Sequence, residues 1–193
     1  MADAQVRRLA TLEVMPNRTA RRVSAVVVFA TLTALGAHVA VPLPGGVPVT
    51  MQTLFVTLSG ALLGPYLGAA SQLLYLGVGM AGAPVFAMGG GLLYLLGATG
   101  GYLLSYPLAA ALTGKLSGRP RPGIEGFLQI AFAMLIASIL TLAMGWAQLS
   151  VITGDPSRAL QVGVMPFLVG DVLKVGLGAL IAQRFRGRTL GLV

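Results

Sequence analysis

The chain has 193 residues, of which 56% are hydrophobic and 9% charged, and its mean hydropathy is +0.87. Soluble domains carry about a quarter charged residues, so this composition excludes both an ordinary soluble globule and an intrinsically disordered chain. The net charge of +8 does not point to nucleic acid either: residues 23–114 hold no Asp, Glu, Lys or Arg, a pattern that belongs in a bilayer, where a central charge costs about 3 kcal/mol or more.

Residues 1–20 read as a short cytoplasmic tail. Asp3 and Glu13, and the lack of a short apolar core leading to a cleavage site, argue against a secretory signal. The first apolar run, 23–41, ends at the turn cluster Pro42-Leu43-Pro44-Gly45-Gly46. A second, 49–63, stops at Gly64-Pro65, and a third covers 67–81. At about 15 residues each, these two are short for the roughly 20 that a span needs, which leaves tilted helices or a loop entering the membrane. A glycine-rich loop, 82–91, precedes a fourth span at 92–112. The basic loop 114–123 leads into a fifth at 124–152, the loop 153–158 follows, and a sixth covers 164–185 before a basic tail, 186–193. The expectation is one all-α integral membrane domain, with a six-helix bundle within residues 21–185.

Six spans place both termini on one side. Every Lys and Arg except Arg158 and Lys174 then falls in the N-terminal tail, the loop between spans four and five, or the C-terminal tail. The positive-inside rule makes that side cytoplasmic, whereas five or seven spans would put a basic cluster outside. The opposite side holds irregular backbone at 42–48, 84–91 and 154–156. Such backbone persists at membrane depth only when buried in protein or lining a cavity. Twelve glycines between 60 and 101 fit two readings, close helix packing or backbone lining a ligand.

Only Asp171 and Lys174 bring charge well inside a span. Their i, i+3 spacing puts both on one helix face. Intramembrane ionisable residues are functional candidates by default, set against a self-neutralising structural pair. An acceptor and a donor at one place suit a ligand with both N–H and carbonyl groups, such as a urea or amide; a lone carboxylate would instead suit a proton relay. His38, near the end of span one, reads as an interfacial polar residue. Gln52, beside Thr50 and Thr53, either reads a ligand or caps and packs. Tyr75, Tyr94, Tyr102, Tyr106 and Trp146 include candidates for an aromatic belt. Tyr102 follows Gly100-Gly101, which would let a ligand reach its ring, and Phe86 in the outer loop could form an apolar lid. Ala30 and Ala34 are small residues four apart, a flat stripe for a partner helix. There is no phosphate-binding loop for ATP, no Gly-x-Ser-x-Gly elbow, no paired intramembrane carboxylates and no metalloprotease motif. With no cysteine and one histidine, no catalytic or metal-ligating set is expected.

The run Val47-Pro48-Val49-Thr50-Met51-Gln52-Thr53-Leu54, then Leu63-Gly64-Pro65 with Leu67-Gly68-Ala69, resembles the BioY family. So do Ala83-Pro84-Val85-Phe86, Leu96-Gly97-Ala98-Thr99-Gly100-Gly101-Tyr102 and the segment from Pro166 through Gly170-Asp171 to Lys174. The resemblance spans about residues 30–184, with its motifs in order. BioY proteins are the biotin-specific substrate-binding subunits, or S components, of energy-coupling-factor (ECF) transporters. The sequence departs from the family pattern at Met88-Gly89-Gly90-Gly91, Ala98 and Val169, all of which bear on the outer loop more than on the ligand.

The resemblance implies a six-helix S-component fold that binds biotin from outside, in the cytoplasmic (inner) membrane of a bacterium. Its partners would be a transmembrane coupling subunit and two ATP-binding-cassette ATPases, with Ala30 and Ala34 on the docking surface and no ATPase or cofactor of its own. The implied site joins Asp171, Lys174 and Gln52 to Phe86, Tyr94, Tyr102 and the glycine surface at Gly90 and Gly91. For biotin's carboxylate, Lys174, Arg158, backbone N–H groups and open solvent all remain options. The sequence also leaves open transport by the subunit alone, as a homodimer. The alternatives are an S component for another vitamin and a stand-alone proton-coupled carrier.

Overall fold

The computed structural model describes residues 18–43, 46–119 and 121–189, with side chains as far as Arg186. Most of the expected N-terminal tail, residues 1–17, lies outside the described residues, and Arg18 already opens the first helix. The order is α1 (Arg18–His38), β1 (Ala40–Val41), β2 (Val49–Thr50), α2 (Gln52–Met80), α3 (Gly100–Leu116), α4 (Gly123–Thr153), α5 (Pro156–Gly163) and α6 (Leu168–Thr189). Short 3-10 segments at Leu92–Leu96 and Met165–Phe167 lead into α3 and α6. By length and composition, α1, α2, α4 and the run Pro156–Arg186 can cross a membrane. Large apolar side chains such as Leu35, Leu93, Phe132, Val169 and Leu173 face outward, as they do where lipid replaces water.

Helix α2 is not one rod. Gly64 has φ 81° and ψ 179° and is followed by Pro65, and there the chain doubles back. Gln52 Nε2 lies 2.6 Å from Tyr75 Oη, 23 residues along the chain; a straight helix would hold them about 35 Å apart. The second and third apolar runs are therefore two antiparallel limbs, 52–63 and 65–80. A positive φ suits the residue without a side chain, and proline, lacking an N–H, opens a new helix at no hydrogen-bond cost.

Polar atoms hold the limbs together and tie α1 to them. Gln72 donates to Ser59 Oγ (3.2 Å) and Ser71 Oγ (3.0 Å), and its Oε1 accepts from Thr33 Oγ1 at 3.2 Å. All four residues are buried. Between membrane helices such bonds replace the missing hydrophobic drive, at about 0.6 to 2 kcal/mol each.

Three boundaries differ from the sequence reading. The regular helix expected from 92 begins at Gly100, because 92–96 forms a 3-10 turn instead. Residues 154–158 are not only loop: Asp155 caps α5, its carboxylate accepting from Arg158 N at 3.0 Å, with Pro156 at the first helical position. The last helix continues through Thr189, past the expected boundary at 185. Arg186, expected in the tail, is 3% exposed and donates to the carbonyls of Ser117 (2.8 Å) and Gly118. Gln183 likewise donates to Gly123 O, and Gln129 to Leu116 O at 3.4 Å. These bonds gather the C-terminal end of α3 and the connection to α4 beneath α6, at the end of the bundle that also holds the Gly64-Pro65 reversal, against which Gly114 packs.

Candidate functional site

The opposite end of the bundle is hollow. There α1 runs into the β1–β2 pair, where Ala40 faces Thr50 and Val41 faces Val49. This pairing sets Val47, Pro48 and Thr50 over a cavity whose other walls come from the start of α2 (Gln52, Thr53), the loop and start of α3 (Ala87, Tyr94, Thr99, Tyr102, Leu103, Tyr106), α4 (Thr141, Leu142) and the α6 end (Phe167, Asp171, Lys174). The cavity is open at its mouth, and its lining mixes apolar side chains with a few convergent polar groups.

Asp171 and Lys174 supply its charge. Lys174 Nζ lies 3.0 Å from Asp171 Oδ1 and donates to Thr53 Oγ1 at 3.1 Å. Ser138 Oγ stands 3.5 Å from Asp171 Oδ2, a long contact that leaves that oxygen with acceptor capacity. Asp171 is 6% exposed. Each charge is thus neutralised by the other while keeping hydrogen-bonding capacity for a guest: two carboxylate oxygens with several lone pairs, and a third ammonium N–H.

Gln52 is buried with its amide orientation set by a chain of bonds. Val85 O can only accept, so Tyr75 Oη donates to it (3.1 Å) and accepts from Gln52 Nε2. Gln52 Oε1 in turn accepts from Thr50 Oγ1 at 2.9 Å. Tyr102 is pinned as well. Its hydroxyl donates to Gly163 O at 2.6 Å, and its ring stacks on Phe167 with centroids 6.0 Å apart. The ring lies flat on α4 at Gly145, where a Cβ would overlap it.

Of the residues singled out in the sequence, Asp171, Lys174, Gln52, Tyr94 and Tyr102 come together on this cavity. Phe86, Gly90 and Gly91 do not line it. Phe86 is fully buried between Tyr75 (5.6 Å, edge-on) and Tyr94 (5.1 Å), so it packs the core beneath the loop instead of covering a guest. Gly90 backs onto the Ala83 carbonyl, and Gly91 N donates to Gly79 O at 2.7 Å; both shape the loop. Arg158 and His38 are exposed and also stand outside the cavity lining. Tyr75, Tyr102 and Tyr106 are buried, not in a belt. Ala30 and Ala34 line a separate apolar groove with Val27 and Thr31 of α1 and Leu74, Tyr75, Val78 and Val85.

Sequence reasoning missed Thr53, Thr141, Phe167 and the site role of Tyr106. Tyr106 carried a usable signal, since it follows Tyr102 by one helical turn and so shares its face. Thr141 carried none, because a neutral hydroxyl in an apolar helix looks the same whether it faces a ligand or a neighbour. Among the described residues no group of three His, Asp or Glu could hold a metal.

The BioY family profile matches residues 8–190. The chain belongs to the BioY family. The probable biotin transporter BioY of Pyrococcus horikoshii is 38% identical over 171 residues, covering 88% of this chain and 99% of that protein. The biotin transporter BioY of Thermotoga maritima is 35% identical, covering 82% and 92%, and that of Rhodobacter capsulatus 36% identical, covering 84% and 92%. Among solved structures, the fold is similar to the crystal structure of the S-component for biotin from an ECF-type ABC transporter, with a TM-score of 0.78, 22% identity, and coverage of 90% of this chain and 95% of that one. This BioY chain is therefore a mostly helical membrane transport protein with an S-component fold, and its charged pair sits at the hollow end of that fold.

Proposed function

We propose that this chain captures biotin and serves as the substrate-binding subunit for its uptake by an ECF-type transporter, without a cofactor of its own. The observation that carries the reading is the buried Asp171–Lys174 pair in an otherwise neutral cavity. Biotin's ureido ring has two N–H donors and one carbonyl. Asp171 accepts from an N–H and Lys174 donates to the carbonyl oxygen, while the thiophane ring and aliphatic tail pack on Tyr102, Leu103, Leu142 and Phe167. Where the guest shields these groups from water, each polar contact discriminates strongly, because an unmatched buried group is penalised.

The same reading gives the chain its orientation. The two limbs of α2 count as separate crossings, which makes six with α1, α3, α4 and α6. The end holding Arg18, Arg21, Arg22, Lys115, Arg119, Arg121, Arg184 and Arg186 faces the cytoplasm, and the cavity opens outward, in the cytoplasmic membrane. A transmembrane coupling subunit docks along the groove at Ala30 and Ala34, and two ATP-binding-cassette ATPases drive the cycle.

The test is equilibrium binding of biotin to the purified, detergent-solubilised chain beside Asp171→Asn and Lys174→Ala. Losing a charge-assisted contact in a dry pocket costs about 2–5 kcal/mol, or roughly 30-fold in affinity and upward. Absence of binding by the folded parent chain overturns the ligand. Parent-like affinity in both variants overturns the site.

A further inference from the structure

The charged pair and the apolar walls account for most of the cavity, but its most deeply buried tyrosine has a hydroxyl without a partner among the described residues. Tyr106 lines the cavity and is 3% exposed. Its ring is held in place, stacked on Tyr75 with centroids 6.3 Å apart and packed in the core with Leu103 and Ala137. The other two buried tyrosine hydroxyls are spent on the fold, Tyr75 on Val85 O and Gln52, Tyr102 on Gly163 O. The Tyr106 hydroxyl makes no hydrogen bond to any described residue. Nor is it sealed in protein, as the unpartnered Ser117 Oγ is; the open space this residue meets is the cavity that Asp171 also lines.

A fixed, nearly buried hydroxyl without a partner is an uncompensated polar group that phenylalanine would remove without altering the packing. Its geometry makes sense when a guest completes it. We propose that Tyr106 is a ligand-contacting, specificity-determining residue, whose hydroxyl hydrogen-bonds the polar ureido head held by Asp171 and Lys174. This inference rests on the reading of the cavity as a cyclic-urea site. It gives the head a neutral contact from α3 beside the two charged ones from α6, so that opposite walls of the cavity both read it.

The test is Tyr106→Phe in the full-length, detergent-solubilised chain, with two readouts: the thermal midpoint without ligand and the biotin dissociation constant. The expected result is opposite in sign for the two. The ligand-free midpoint stays level or rises, because an unpaired hydroxyl is gone, while biotin binds about tenfold more weakly. Tyr102→Phe, which breaks an internal bond, is the contrast and lowers the ligand-free midpoint. Parent-like biotin affinity in Tyr106→Phe overturns this inference and leaves the site reading intact. A lowered midpoint, or failure to fold, shows a structural hydroxyl and overturns it too. Failure of the parent chain to bind biotin overturns the site reading and this inference together.

Discussion

The two ends of this bundle solve opposite problems with the same backbone chemistry. At the basic end, long side chains from neighbouring helices reach over to backbone carbonyls at and after the end of α3 and at the start of α4: Arg186 to Ser117 and Gly118, Gln129 to Leu116, Gln183 to Gly123. At the hollow end, capacity is left over. Asp171 and Lys174 keep hydrogen-bonding sites beyond their mutual contact, and Tyr106 has no internal partner. One end ties backbone carbonyls to side chains of neighbouring helices, and the other keeps polar capacity facing a cavity. Polar capacity that faces a cavity is available to a guest in a way that capacity sealed in protein is not.

The comparison can be broken in several ways. The largest effect is expected at the charged pair. Lys174→Ala leaves Asp171 buried without its cation and lowers stability by about 3–5 kcal/mol, read as a drop in the thermal midpoint in detergent. The double variant Asp171→Asn with Lys174→Met recovers most of that stability and none of the biotin binding; recovery of both would mean the pair serves only the fold. Next comes Gly145→Ala, which drives the Tyr102 ring off α4. Overpacking of this kind costs about 1–3 kcal/mol, and affinity falls with it because Tyr102 forms a cavity wall.

Arg186→Met addresses the basic end. Carbonyls that lose a charged donor cost about 1–3 kcal/mol, so the midpoint falls while the biotin affinity of the folded fraction stays at the parent value. A change in affinity would show the two ends to be coupled. The smallest effect is at Tyr102→Phe, where one neutral hydrogen bond is lost and stability falls by about 1 kcal/mol, measured beside Tyr106→Phe, where no loss is expected.

Asp171 and Lys174 stood out in the sequence because charge inside a long apolar run is costly and therefore conspicuous. Asp155-Pro156 held a readable helix start, an N-cap followed by proline, that a loop reading passed over. The Gly64-Pro65 break was visible, but its meaning was not. A tilted span, a re-entrant loop and a hairpin share one local sequence, and contacts between the limbs, Gln52 to Tyr75 and Gln72 to Ser59, separate them. Phe86 was misplaced for a similar reason, since a phenylalanine in a glycine-rich loop suits a cover and a core equally well. Thr141 was hidden by its neutrality, and the spacing of Tyr106 from Tyr102 gave its face but not whether its hydroxyl was free. Whether a hydroxyl is spent or spare depends on partners far away in the chain, and composition holds no record of them.

The reversal at Gly64-Pro65 also bears on how the protein enters its membrane. Each limb of α2 is shorter than the roughly 20 residues a lone span requires, and each has a buried glutamine with a bond to the other limb, Gln52 to Tyr75 and Gln72 to Ser59. Neither limb is a viable intermediate in lipid by itself. The expected consequence is that the two limbs enter the bilayer together as a hairpin, so that a change at the turn lowers the yield of inserted protein more than the stability of what has inserted.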